Sequence, residues 1–259
     1  MFKKTLASLI LGAGILFSNN KLKSAEIPFP YHQDFESCQI GEEFSGWDFV
    51  VNPKVYGNGI NPFGKDTGFD SRYIFITGWG GQGTNLSFPE IKNNLNFSCD
   101  FISIPDSGAH RGGFELGIKG VPEINTYRMG RWIGLEADAE IWQNYTDIYV
   151  NPYWRDSIEP KNKPKKELIG SLNHNEKYHL NLNMNHGKFS LNLTNPSTNI
   201  AYFWDYQMNF PIDSVYISHG SVRDYEYGLA IDNINITPEP LEFLLLGSGL
   251  SFLRKKKKN

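Results

Sequence analysis

The chain has 259 residues and a formal net charge of −3, with 14% aromatic and 20% charged residues. A slightly acidic chain has no electrostatic basis for binding nucleic acid, because affinity for phosphates depends on clustered Lys and Arg. Setting aside the two terminal segments leaves roughly 210 residues, enough for one large domain with a sizeable core. The 25 Gly and 14 Pro residues favour a turn-rich all-β domain.

The first segment has the pattern of a secretory signal peptide. Lys3 and Lys4 give it a positive start, and an apolar stretch follows from Leu6 to Phe17. This order is typical of a segment that directs export and is then removed. We therefore expect a signal helix over residues 1–25 and a mature chain that begins near Glu26.

Short alternating segments, separated by turn residues, fill residues 26–237. The predicted strands are Tyr31–Glu36, Tyr73–Thr77, Thr84–Phe88, Leu95–Ile104, Phe114–Ile118, Trp132–Trp142, Tyr178–Met184, Phe189–Leu193, Val215–Ser218 and Leu229–Ile236. Asn52–Gly68 and Glu159–Glu167 read as loops, and Asn185–Lys188 as a hairpin turn. Many short strands with almost no helix predict an all-β fold, a jelly-roll sandwich of two antiparallel sheets.

Three short motifs in this body resemble the concanavalin A-like (LamG-type) jelly-roll superfamily. They are Asp34-Phe35-Glu36 followed by Gly46-Trp47, the late hairpin from Tyr178 to Ser190, and the closing strand with Ile231-Asp232-Asn233-Ile234. The resemblance is one of pattern over residues 26–237. It implies a single domain of that fold, a superfamily in which many members bind polysaccharide.

One predicted strand carries three carboxylates on the same face. Glu136, Asp138 and Glu140 alternate with alanines, and Trp132 and Trp142 stand at the two ends. Side chains two apart on a strand point the same way, so the three acids are neighbours. Like charges raise one another's pKa, so such a row needs solvent, cations or acid–base chemistry to explain it.

The spacing resembles the Glu-x-Asp-x-Glu strand of glycoside hydrolase family 16. That resemblance implies Glu136 as nucleophile, Glu140 as acid/base and Asp138 between them, in a retaining mechanism on a β-glycan. Trp132 and Trp142 would then stack on sugar rings. Two alternatives stay open: a non-catalytic sugar or cation site, and a solvated acidic face with Arg128 and Arg131 as counter-charges.

The jelly-roll resemblance also implies a structural Ca²⁺ between the first and last strands. The matching residues are Glu36 and Asp232, with Asp66 and Asp70 as further oxygen ligands from the loop. Carboxylate oxygens suit Ca²⁺. The alternative is that these acids lie on the surface or cap turns.

Two cysteines, Cys38 and Cys99, are present. In an exported protein an even pair suggests a disulfide. Closing a loop of about 60 residues would contribute roughly 4 kcal/mol in the chain-entropy model. Two separate buried thiols are the alternative.

The last 22 residues have three parts: Pro238-Glu239-Pro240, an apolar run from Leu241 to Leu253, and the basic cluster from Arg254 to Lys258. A helix over the apolar run would reach about 20 Å, short of a hydrocarbon core of roughly 30 Å. This order resembles the PEP-CTERM sorting signal of exported bacterial proteins. It implies that residues 238–259 form a short hydrophobic helix, a transient membrane anchor processed by an exosortase.

We therefore expect an exported protein of the cell envelope or extracellular space whose jelly roll binds a polysaccharide without cutting it. The first alternative is a retaining glycoside hydrolase that uses Glu136 and Glu140. A purely structural matrix component is the second alternative. Fold alone does not choose among the three.

Overall fold

The computed structural model describes residues 23–47, 49, 53–57, 59, 69–77, 82–105, 111–120, 132–140, 145–153, 166–205, 211–221 and 227–238. These residues form fifteen strands: β1 Lys23–Glu26, β2 Tyr31–Gln33, β3 Lys54–Tyr56, β4 Tyr73–Thr77, β5 Gln82–Lys92, β6 Asn94–Pro105, β7 Arg111–Gly120, β8 Trp132–Glu140, β9 Tyr145–Tyr153, β10 Glu167–Asn173, β11 Lys177–Asn185, β12 Lys188–Asn195, β13 Thr198–Asp205, β14 Ile212–Ser221 and β15 Tyr227–Thr237. Within these ranges, no helix has the length and apolar character that crossing a membrane requires.

The strands form two sheets. One has seven strands in the order β1-β5-β14-β7-β8-β9-β10, and the other has eight, in the order β13-β12-β11-β6-β15-β4-β3 with β2 beside β15. All pairs are antiparallel except that β1 runs parallel to β5. The predicted all-β sandwich of two sheets is confirmed. The predicted terminal helices over residues 1–25 and 238–259 lie outside the described residues, except for Lys23–Ala25, which belong to β1, and Pro238.

The core lies between the sheets and follows the two-residue period of the strands. On β11, Tyr178, Leu180, Leu182 and Met184 are at most 1% exposed, whereas the residues between them are half-buried or exposed. The same alternation holds along β12. Because successive side chains point to opposite faces, each apolar set faces the other sheet and each polar set faces outward.

The opening motif folds into an aromatic cluster at one end of this core. The Trp47 ring is 2% exposed and meets the rings of Phe35 at 5.7 Å and Phe44 at 5.1 Å, in edge-to-face geometry. Its indole N–H donates to the Tyr31 hydroxyl at 2.7 Å. Aromatic pairs of this kind contribute about 0.5–1.5 kcal/mol each beyond the area that they bury.

A second, smaller core covers part of the outer face of the eight-stranded sheet. Its members are apolar side chains from β4, β6, β15 and the segment before β4, and all are at most 2% exposed: Phe69, Tyr73, Phe75, Ile102, Ile104 and Ala230. The outer face of this sheet is therefore apolar and covered on one half, and the half formed by β11, β12 and β13 carries polar side chains.

Several strand boundaries differ from those expected. The predicted Tyr31–Glu36 strand ends at Gln33, because the chain turns there: Phe35 has a φ of 59° and the Asp34 carboxylate accepts the Glu36 N–H at 3.1 Å. The predicted Asn52–Gly68 loop contains β3, and Glu167, expected in a loop, begins β10.

Strands β9, β10 and β13 were not predicted. Polar residues interrupt the apolar alternation in each, and β13 lies at a sheet edge where every second residue is exposed. Strand β1 was also missed, and it extends across the predicted signal-peptide boundary. Cleavage after Ala25 would remove three of its four residues.

Both cysteines are free thiols in the structure. The Cys99 side chain is fully buried in the core, where desolvation raises its pKa well above the ordinary value. Cys38 is half-buried in the segment after β2. The structure therefore has two separate thiols, the alternative to the predicted Cys38–Cys99 disulfide.

We expect the two thiols to react at very different rates. Maleimide should label Cys38 in the native protein and Cys99 only after unfolding, because a buried, protonated thiol is neither accessible nor nucleophilic. Mass spectrometry of native and denatured protein prepared without reductant measures this. The Cys38→Ala variant, with no native labelling, is the control. A protein with no reactive thiol when denatured would instead contain the disulfide.

Candidate functional site

One row of side chains crosses four strands on the outer face of the seven-stranded sheet. The strand register places Ser218 of β14 opposite Glu115 of β7, Glu115 opposite Glu136 of β8, and Glu136 opposite Tyr149 of β9. We call these four residues the carboxylate row. Their neighbours along each strand are buried core residues such as Leu116, so the pleat directs the row outward.

The row is held by contacts at both ends. The Ser218 hydroxyl donates to Glu115 Oε2 at 3.1 Å. Lys166 Nζ lies 2.5 Å from Glu136 Oε1 and 4.2 Å from the centre of the Tyr149 ring. The Glu136 side chain is only 14% exposed, so Lys166 pairs with a carboxylate that is largely withdrawn from water. Ion pairs of this kind interact more strongly than those on an open surface.

The Glu115 carboxyl of the row has a raised pKa. Its pKa lies at about 7, because burial and the Glu136 charge raise it by more than the Ser218 hydrogen bond and Lys166 lower it. Side chains directly opposite on neighbouring strands have Cβ atoms roughly 5 Å apart. A carboxyl protonated near neutral pH therefore lies beside a carboxylate that is paired with Lys166.

Two glycines shape the sheet surface beside the carboxylate row, and we call this surface, formed by Tyr216, Gly117 and Gly134, the floor. Tyr216 lies opposite Gly117, which in turn lies opposite Gly134. A Cβ on Gly117 would be 2.3 Å from the Tyr216 ring, and a Cβ on Gly134 would be 2.3 Å from the Leu116 carbonyl oxygen. The missing side chains let the Tyr216 ring lie against the strands, where it is 4% exposed.

An orphaned acceptor lies next to this floor. Asn85 of β5 stands opposite Tyr216 and is 6% exposed. Its Oδ1 atom has no hydrogen-bond partner among the described residues. A buried oxygen of this kind is satisfied by water or by a ligand donor.

The structure brings together only part of the expected acidic site. Asp138 and Glu140 follow Glu136 on the same face of β8, where their backbones pair with Gly113 and Arg111. The side chains of Asp138, Glu140 and Trp132 are not among those described, and Trp142 lies outside the described residues. Arg128 and Arg131, expected as counter-charges, are also outside them.

Two members of the site were missed by sequence reasoning. Glu115 was seen only as one polar residue within an alternating strand, and its position opposite Glu136 depends on the β7–β8 register. Lys166 was assigned to an exposed loop with no ligand. The sequence offered one indication of the position of Glu115. It precedes the apolar Leu116, so a strand that buries Leu116 directs the Glu115 carboxyl to the outer face.

Two of the acids expected to bind calcium, Glu36 and Asp232, have protein partners, and Asp232 Oδ1 is buried with no hydrogen-bond partner among the described residues. The Arg72 backbone N–H donates to Glu36 Oε1 at 2.8 Å, and the Arg72 guanidinium donates to the carbonyl oxygens of Glu36 and Cys38. The Ser71 hydroxyl donates to Asp232. The pKa of Asp232 is raised to about 6, because burial, with smaller contributions from Asp100 and Glu36, outweighs the hydrogen bonds from Ser71 and Asn233.

Ca²⁺ takes six to eight oxygens, and the described residues include no group of three or more His, Cys, Asp or Glu side chains placed to hold a metal. The calcium site at Glu36, Asp66, Asp70 and Asp232 stays a prediction. Asp70 is exposed, and Asp66 lies outside the described residues.

No known protein family's sequence profile matches the chain, and no curated protein matches it in sequence. Solved structures with a similar fold include the carbohydrate recognition domain of Emp47p, at 12% identity and a TM-score of 0.47 over 81% of this chain and 96% of that one. Another is the CBM2 module of the evolved Dit protein of Lactobacillus casei BL23 phage J-1, at 11% identity and 0.49 over 80% and 93%. A third is a legume lectin-like domain from Entamoeba histolytica, at 10% identity and 0.45 over 65% and 84%.

The floor of the site makes a stability prediction. Gly134→Ala should destabilise the fold by about 2 kcal/mol or more, since its Cβ would meet backbone atoms that cannot move aside. Gly117→Ala should also destabilise, but combining it with Tyr216→Ala should remove most of the clash, because only the ring stands in the way. Denaturant unfolding of Gly134→Ala, Gly117→Ala and the double variant of each with Tyr216→Ala tests this. If Tyr216→Ala restored the stability of Gly134→Ala as fully as that of Gly117→Ala, the packing described for Gly134 would be contradicted.

The Glu115 carboxyl makes a pH prediction. Its pKa is raised from 4.5 to about 7 in the folded chain, so between those values the folded state holds a proton that the unfolded state has lost. Stability contributed by this group is therefore present below pH 4.5 and declines as pH rises to 7. Denaturation at pH 5 and pH 8 should show a smaller loss of stability for Glu115→Gln than for the unmodified protein. Glu90→Gln, on an exposed carboxylate, is the control, and identical pH dependence in all three would contradict the shift.

Proposed function

We propose that the chain is an exported bacterial surface protein that binds a polysaccharide on the carboxylate row. The observation that carries the proposal is the grouping of unlike polar side chains on one sheet face: a hydroxyl, a protonated carboxyl, a lysine-paired carboxylate and an aromatic ring. Sugars present hydroxyl groups that both donate and accept hydrogen bonds, and apolar ring faces. This set meets both needs, and the orphaned Asn85 oxygen adds an acceptor.

The proposal of export rests on the two terminal segments, residues 1–25 and 238–259, of which only Lys23–Ala25 and Pro238 are among the described residues. Strand β15 ends at Thr237, and Pro238 is exposed immediately after it. If residues 239–259 enter a membrane, the sandwich is held close to it until an exosortase-type enzyme processes the tail. The body would then reach the cell envelope or the extracellular space.

A second candidate function is hydrolysis of a β-glycan. The observation that favours it is the pairing of Glu115, whose pKa is about 7, with Glu136 directly opposite, which Lys166 contacts. Such unequal pairs serve as proton donor and nucleophile in retaining glycosidases. Glu136 would attack the sugar, and Glu115 would protonate the leaving oxygen, the role that the family resemblance gives to Glu140.

Binding without hydrolysis is favoured by the contacts of the pair. Lys166 Nζ lies 2.5 Å from Glu136 Oε1, and a carboxylate paired with an ammonium group is a weaker nucleophile. The Ser218 hydrogen bond likewise directs Glu115 toward β14 and away from Glu136. Both contacts would have to break before the two carboxyls could act together on a glycosidic bond.

The purified full-length protein should be retained by a soluble polysaccharide during native electrophoresis. Glu136→Gln and Tyr149→Ala should each weaken retention by about tenfold, the loss expected for one hydrogen bond or stacking contact. The matched control is Glu90→Gln, because Glu90 also pairs with a lysine, Lys92 at 3.2 Å, but is 79% exposed and lies outside the row.

A reducing-sugar assay on the same panel separates the two candidates. If the unmodified protein releases reducing ends and both Glu136→Gln and Glu115→Gln abolish that release, hydrolysis is established and the binding-only assignment is overturned. If the unmodified protein neither retains nor cleaves any polysaccharide, both candidates fail, and a structural matrix role becomes the better description.

A further inference from the structure

The open half of the eight-stranded sheet presents amide and hydroxyl side chains to solvent. Strands β11 and β12, and β6 as far as Phe101, direct their apolar residues into the core between the sheets, and their outward positions include Asn96, Ser98, Asn181, Asn183, Ser190 and Asn192. We call this surface the amide face. It lies on the side of the sandwich opposite the carboxylate row.

The amide face is arranged in rows by the strand register. Asn181 lies opposite Ser98 on β6 and Asn192 on β12, and Asn192 lies opposite Ala201 on β13. The adjacent row runs from Asn183 through Ser190 to Phe203. Groups within a row are about 4.8 Å apart and rows are about 6.8 Å apart, so the face offers a regular grid of polar groups.

The fold itself gives little reason for these asparagines. Asn is depleted in strands because its side chain competes with the backbone for hydrogen bonds. None of the described residues forms a hydrogen bond with the side chains of Asn181, Ser190 or Asn192. Their donors and acceptors are therefore available to a ligand.

A groove and an exposed ring complete the surface. Asn181, Ser190, Asn192, Ala201 and Phe203 line a groove of about 330 Å³. Phe203 is 63% exposed, the highest value among the exposed large apolar side chains of the described residues. The small Ala201 leaves space beside it. An exposed ring next to unpartnered amides is the combination that a pyranose ring can use.

We propose that the amide face is a second saccharide-binding surface, which takes a neutral polysaccharide chain. The Phe203 ring stacks on the apolar face of one sugar, and Asn181, Ser190 and Asn192 exchange hydrogen bonds with its hydroxyls. The side chains that line the groove carry no charge, and the charged ones on this face lie in the rows on either side, where His179 pairs with Asp100 and Lys188 lies opposite Asp205. Together with the carboxylate row, this surface would let one sandwich bridge two polysaccharide chains.

The test measures retention of the purified full-length protein by a neutral β-glucan, a neutral galactomannan and an anionic alginate. Phe203→Ala and the double variant Asn181→Ala/Asn192→Ala should each weaken binding to a neutral chain by about tenfold. High salt should leave that binding unchanged, because no ion pair contributes. The matched control is Asn199→Ala, an exposed asparagine of β13 that does not line the groove.

Repeating the series in the Glu136→Gln background keeps the two surfaces apart. Neutral-chain binding that persists there and is lost with Phe203→Ala supports the amide face. Binding that Glu136→Gln abolishes and Phe203→Ala leaves intact supports only the carboxylate row and overturns this inference.

Two further outcomes would also overturn it. One is an unmodified protein that no neutral polysaccharide retains. The other is a dimer in sedimentation velocity that Phe203→Ala dissociates without any change in retention, since the exposed ring would then serve contact with a second copy of this chain. Unchanged thermal melting of each variant shows that a loss of binding does not come from unfolding.

Discussion

Two sheets pack face to face through aromatic and aliphatic side chains, and the rest of the structure depends on this contact. Trp47, Phe97, Phe114 and Phe189 are all at most 2% exposed. Burying one such side chain contributes on the order of 2–3 kcal/mol. Because one face of each sheet is committed to this core, the pleat directs nearly every polar side chain of the strands to one of two outer faces. Both candidate binding surfaces are consequences of that division.

The two outer faces differ in chemistry because different strands supply them. On the seven-stranded sheet, Glu115 and Glu136 meet across one strand pair, and Lys166 enters from the segment before β10. The result is a charged, partly buried site in which protonation matters. On the eight-stranded sheet, a small apolar core covers one half, and the other half carries Asn181 and Asn192 between a row with the His179–Asp100 pair and a row with Lys188 and Asp205. One sandwich thus presents a carboxylate-bearing surface and a mainly amide surface on opposite sides.

Much of the fold was predictable from the sequence, and the candidate site only in part. Strands with unbroken apolar alternation, such as β6 and β11, were predicted within a few residues of their observed bounds, because a period of two directly reports a half-buried strand. Strands β9 and β13 were missed because polar residues blur that period. Glu136 was placed on the correct face of its strand, but its partners Glu115 and Lys166 are 21 and 30 positions away along the chain. No local pattern links them.

The sequence alone determined what depends on neighbours within a few residues: the alternation of each strand, the class of the fold and the three-part order of the tail. The tertiary structure decided what depends on register between distant segments. It set Glu115 against Glu136, supplied Lys166 as the counter-charge, placed the Arg72 guanidinium on the Glu36 and Cys38 carbonyl oxygens, and left Cys38 and Cys99 as separate thiols. The physical reason is that periodicity is a property of one strand, whereas charge pairing and pKa depend on which strands lie side by side.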